Sequence, residues 1–113
     1  MTFSFHPEAE AEFNEAIDYY EDCEIGLGYD FSIEVHSTIQ NIAVFPLAWP
    51  VIEGDVRRCL TNRFPYGILY SIEPEGIFIV AVMHLHRNPG YWRNRRQSGK
   101  STQTGKQRSQ RPG

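Results

Sequence analysis

Residues 66–85 read YGILYSIEPEGIFIVAVMHL, and this stretch decides the fold. Tyr66–Ile72 and Ile77–Leu85 each have the period and the β-branched, aromatic content of a strand, the second being apolar on both sides as an interior strand must be. Between them, Glu73-Pro74-Glu75-Gly76 places Pro second and Gly fourth, the pattern of a tight turn, so the two runs form a hairpin.

Upstream, Val56–Thr61 (VRRCLT) is read as a third strand of the same sheet, and Pro46–Gly54 (PLAWPVIEG) as a loop laid against the body through Trp49. Further upstream the period changes from two to between three and four. Phe31, Val35, Ile39, Ile42 and Phe45 line one helix that Pro46 ends, and Ala9, Phe13, Ala16, Ile17 and Tyr20 line another that starts at His6-Pro7-Glu8. Gly26-Leu27-Gly28 separates the two and makes them an antiparallel hairpin. Phe3 and Phe5 alternate in a short first strand. The order is β-α-α-β-β-β, an α+β domain with a helical hairpin packed on one face of a small, mainly antiparallel sheet. Downstream, Asn88-Pro89-Gly90 stops the last strand, and Tyr91-Trp92-Arg93 adds a short helical or extended cap.

The domain is placed at 1–96. Residues 97–113 (QSGKSTQTGKQRSQRPG) hold no aliphatic or aromatic residue other than Pro112 and are expected to be a disordered polar, basic tail. A chain of 113 residues makes one thin two-layer domain, too small for dehydrogenase, barrel or kinase architectures. With no apolar run long enough to span a bilayer and no signal peptide at its start, the protein is expected to be soluble and cytoplasmic, with Cys23 and Cys59 as free thiols.

The formal charge of −3 conceals an asymmetry. Residues 1–56 carry twelve acids and no Lys or Arg, whereas 57–96 carry seven arginines against Glu73 and Glu75. Either the halves neutralise each other where they pack, or the arginines face a polyanionic partner. All cations before residue 100 are arginines, the type suited to forked contacts with phosphate or carboxylate and to stacking on aromatic rings.

Three groups of residues bear on chemistry. His84 and His86, two apart on a strand, are expected on one side with Val80 and Val82, in reach of proton transfer. A metal needs further ligands at a recognisable spacing, and none is present, so neither metal nor cofactor is expected. Arg57 and Arg63 are placed on the Cys59 side of their strand and Arg58 on the other, with one of the three pairing to a helix carboxylate. Arg87, Tyr91, Trp92, Arg93, Arg95 and Arg96 form a basic, aromatic end that suits a nucleic acid or a protein interface equally. Glu12 and Asp18 read as solvated surface charges of the first helix. Phosphate-loop, G-x-S-x-G, paired-cysteine and H-E-x-x-H signatures are all missing.

The strings FHPEAEAEFNEAIDYYE, IAVFPLAWP, RRCLTNRFPYGILYSI and IFIVAVMHLHRNPGYW, in that order, resemble the RelE/ParE superfamily of toxins from bacterial type II toxin–antitoxin systems, over residues 2 to about 95. The resemblance implies a growth inhibitor held inactive by a cognate antitoxin. One branch cleaves messenger RNA on the ribosome; the ParE-like branch poisons DNA gyrase by binding. RNA cleavage needs a base, an acid and cations in one cleft. The cleaving branch resembles this with lysines after the helices, an arginine in the middle of the penultimate strand, another after the last strand and a late tyrosine. Here Gly67 stands at the middle-strand position and the lysines have no counterpart. The expectation is therefore a ParE-like binder, with Arg57, Arg58, Arg63, Arg87, Tyr91, Trp92 and Arg93 facing the target. His84, Arg87 and Tyr91 are the catalytic candidates if the chain is instead a ribosome-dependent endonuclease. A third possibility is an inactive remnant that only binds antitoxin.

Overall fold

The computed structural model describes residues 1–95; Arg96 and the 97–113 tail lie outside the described residues. The chain runs β1 (Phe3–Phe5), α1 (Pro7–Cys23), α2 (Leu27–Val44), β2 (Val51–Glu53), β3 (Val56–Leu60), β4 (Tyr66–Glu73) and β5 (Gly76–His84). One five-stranded sheet has the order β1-β5-β4-β3-β2, with β1 parallel to β5 and the other neighbours antiparallel.

The hairpin β4–β5 closes through Pro74 and Glu75, Glu73 facing Gly76 across the turn. Gly76 takes φ +138° with β1 lying directly over it, so a Cβ there would collide with the Thr2 carbonyl. The segment read as a loop at 46–54 contains β2, a correction. Val51–Glu53 is three residues long, lies between Pro50 and Gly54, and pairs along one side only, so its pattern is too short to register as a strand. The strand read as Val56–Thr61 ends at Leu60, because Thr61 turns its hydroxyl onto the Phe64 carbonyl at 2.6 Å.

Each helix starts where its sequence supplies an acceptor. The Nδ1 atom of His6 accepts the Glu8 N–H at 3.0 Å, with Pro7 in the first turn and Glu8 and Glu10 at the positive end of the dipole. At the start of α2, the Glu21 carboxylate accepts the N–H groups of Gly26 and Gly28.

The main core lies between the helical hairpin and the sheet and is built from Phe13, Phe31, Val35, Ile39, Ile42, Ile68, Tyr70, Ile77, Ile79 and Val82. Each of its fully buried aliphatic side chains contributes about 1.5–3 kcal/mol of transfer free energy. Trp49 packs on its margin, as the loop reading expected.

The opposite sheet face is not open throughout. Val56, Leu69, Val80, Ala81 and Met83 form a second core covered by Trp92, and behind Trp92 the chain takes one helical turn at 93–95. The β4–β5 register steps from Leu69–Ala81 to Tyr70–Ile79, leaving Val80 as an extra residue in a β-bulge. Val80 consequently joins Ala81 on the second face, while Val82 and His84 face the helices. The expectation that Val80, Val82 and His84 share a side is corrected by this bulge.

Candidate functional site

Helix α1 and the last described turn meet at the outer edge of β5. Pairing with β1 covers β5 only from Ile77 to Ile79, and beyond it the backbone of β5 has no strand neighbour on that edge. Glu12 fills the gap. One carboxylate oxygen accepts the Val82 N–H at 3.0 Å and the other accepts from Arg95 Nη2 at 2.8 Å, while Arg95 Nη1 reaches the Val80 carbonyl at 3.4 Å. Their side chains are 13% and 7% exposed, and Glu8 lies 3.5 Å from the same guanidinium nitrogen. Glu12 is therefore not the solvated surface charge that its helical position suggests. Its partner lies beyond the sheet, 83 residues along the chain, where no local pattern points to it.

Beside Glu12 a cleft of about 180 Å³ opens between α1 and the open end of the β4–β5 hairpin. Helix α1 supplies Glu12, Glu15, Ala16 and Tyr19, the sheet supplies Tyr66, Val82 and His84, and Arg87 closes one side. The His84 Nδ1 atom accepts the His86 N–H at 3.1 Å, which leaves the ring proton of neutral His84 on Nε2. Tyr66 stands edge-on to His84 with centroids 5.1 Å apart, and His86 lies at 5.0 Å from it on the other side. Burial pushes the Tyr66 phenol up to about 12, and burial together with the neighbouring Glu12 carboxylate raises Tyr91 as well, so both keep their protons at neutral pH.

Tyr91 lies between two guanidinium groups, Arg87 at 3.9 Å and Arg95 at 4.8 Å from its ring centroid. Trp92, placed by sequence among target-facing residues, is 2% exposed and belongs to the second core. The Trp92 indole N–H is buried without a hydrogen-bond partner among the described residues, and the Tyr91 hydroxyl is buried beside the Glu12 carboxylate. Ring contacts and the Glu12–Arg95 pair therefore hold this segment in place.

The other arginines divide. Arg57 spends its guanidinium on the Trp49 carbonyl at 2.7 Å and the Leu47 carbonyl at 3.4 Å, pinning the loop before β2. Arg63 sits past the end of β3, not on its face, and pairs with Asp30 at 3.2 Å, while its backbone N–H donates to Glu34. This is the arginine-to-helix pairing anticipated for one of the three, though from a loop. Arg93 pairs with Glu53 at 2.7 Å. Among the described residues, Arg58 and Arg87 engage no carboxylate. Much of the charge asymmetry among the described residues therefore closes within the fold.

Arg58 lies on the second face, where its methylene stem crosses Gly67; a Cβ on Gly67 would meet the Arg58 Cγ and Cδ at 3.2 Å. Leu60 and Leu85 are exposed at that end of the sheet. Cys23 is exposed and Cys59 buried, both free. Among the described residues no three His, Cys, Asp or Glu side chains are grouped to hold a metal, and no helix is long and apolar enough to cross a membrane.

A helical hairpin on one face of such a sheet, with a basic, aromatic C-terminal turn, is the architecture implied by the toxin resemblance. Residues 3–89 match the family described as the ParE toxin of the type II toxin–antitoxin system, parDE, and the chain belongs to it. Curated proteins yield no match. Membership implies an antitoxin as partner.

Proposed function

We propose that this toxin arrests growth by binding DNA gyrase in the cytoplasm, without a hydrolytic step, and that Arg58 and Arg87 are its principal target-facing cations. The observation that carries this reading is at Gly67. Gly67, matched to the position where the cleaving branch carries an arginine, is the second residue of β4 and has no side chain, and the Arg58 stem occupies the space above it. A phosphorane-like transition state would find no cation fixed there. Arg57, Arg63 and Arg93 are engaged within the fold and act, on this reading, by supporting the surface.

One observation favours the ribosome-dependent endonuclease as a second reading: His84 and Arg87 border the same cleft, with Tyr91 directly beneath Arg87. The antitoxin, in either case, neutralises the toxin by covering the free arginines with an acidic segment.

Induced expression with transcript-end mapping and a gyrase supercoiling assay separates the readings. Relaxed or linear plasmid with intact transcripts is expected. Cuts in translated RNA that disappear in His84→Ala/Arg87→Ala would establish the nuclease, and no arrest by either route would leave a remnant that only binds antitoxin.

A further inference from the structure

The two sides of the cleft are tied together by one side chain. Glu12 Oε1 holds the Val82 N–H, two residues before His84 on β5. Glu12 Oε2 holds Arg95, whose guanidinium lies against one side of the Tyr91 ring system that Arg87 also contacts. A continuous path of contacts thus runs from His84 through Val82, Glu12, Arg95 and Tyr91 to Arg87.

We propose that Glu12, acting through Arg95, is a positioning residue that fixes where Arg87 is presented beside the cleft. Arg87 is exposed and, among the described residues, has no carboxylate to anchor it, so the Tyr91 ring is its platform. That platform is buried with its hydroxyl beside the Glu12 carboxylate and its ring against the Arg95 guanidinium, so both members of the pair set its seat. Arg95 is in turn seated by Glu12, with the Val80 carbonyl and Glu8 as secondary contacts. A planar guanidinium is needed at residue 95, because it must stack on a ring while Nη2 reaches the Glu12 carboxylate and Nη1 the Val80 carbonyl. Only a carboxylate at residue 12 supplies two acceptors and the balancing charge. The functional consequence rests on the reading of Arg87 as a target contact; the positioning itself does not.

The test reads the two separately. In the full chain, the Arg87 side-chain protons lie over the Tyr91 ring and carry an upfield ring-current shift in NMR, which Tyr91→Leu abolishes. Glu12→Gln keeps the length and one carbonyl acceptor but gives up the charge. It is expected to remove at least half of that shift, and Arg95→Lys to do the same. Glu53→Gln breaks the exposed Arg93 pair in the same turn and is expected to leave the shift unchanged. Inhibition of purified gyrase should fall at least tenfold in Glu12→Gln and Arg95→Lys, with affinity for the co-encoded antitoxin altered less than threefold. An unchanged Arg87 shift in either variant that remains folded by circular dichroism would overturn the positioning role. A lost shift in a chain whose wild type does not inhibit gyrase would uphold it and refute the gyrase reading instead. Loss of the shift with gyrase inhibition intact would show that Arg87's placement is not used by that target, overturning the functional half.

Discussion

Glu12 in the second turn of the first helix and Arg95 near the end of the described chain form a 2.8 Å ion pair across the uncovered edge of β5. Two desolvated charges of opposite sign are tolerable together and costly apart. Glu12→Ala or Arg95→Ala is expected to lose about 3 kcal/mol, in the range for breaking a buried pair. The double variant Glu12→Ala/Arg95→Ala should cost less than the sum of the single changes. Urea unfolding of all four proteins checks both statements, and simple additivity would show that the pair does not act as a unit.

His6 gives the fold a dependence on pH. Burial, chiefly, lowers its pKa below the ordinary 6.5, with Arg95 acting in the same direction and Glu8 and Glu12 opposing. The unfolded chain therefore binds the proton more readily than the native one, and stability rises with pH across that interval. The contribution is complete above about pH 6.5 and is lost as pH falls below it towards the depressed native value. Protonation also removes the Nδ1 acceptor that caps α1. His6→Asn retains a capping acceptor and should flatten this component of a melting-temperature profile between pH 5 and 7.5.

Two glycines separate conformational need from mere space. Gly76→Ala must adopt φ +138° and displace the Thr2 carbonyl, and should destabilise by about 2 kcal/mol or more. Gly67→Ala meets the flexible stem of Arg58 and the tip of Leu60 and should stay within about 1 kcal/mol of the parent. Paired denaturation curves would expose an error in either assignment.

Thiol chemistry should distinguish the cysteines. Cys23 is exposed, while Cys59 is buried and its pKa is pushed up to about 11 by that burial. Iodoacetamide at pH 8 is expected to modify Cys23 alone in the native protein and both thiols in urea, as counted by mass spectrometry.

Much of this architecture is legible from periodicity. The β4–β5 hairpin is announced by Pro74 and Gly76, and both helices by their apolar stripes. What escaped depends on partners distant in sequence or on features shorter than a pattern. Val51–Glu53 is too brief for alternation to register. The Val80 bulge is invisible in a uniformly apolar run, yet it decides which side of the sheet His84 shares. Glu12 resembles its acidic neighbours on α1 until Arg95 is folded back onto it. Trp92 looks like an interface aromatic because sequence does not show that β5 and β3 leave an apolar face for it to cover. Arginine is the cation suited to ordered contacts, and Arg57, Arg63, Arg93 and Arg95 find those contacts inside the domain.

The brevity of β1 has a last consequence. Because three residues of backbone pairing are followed by side-chain contacts from α1 and the final turn, the outer margin of β5 is sealed by groups from opposite ends of the polypeptide. Truncation that removes Arg95 would strip that seal and present an unsatisfied strand border, leaving the fold prone to add copies of itself edge to edge.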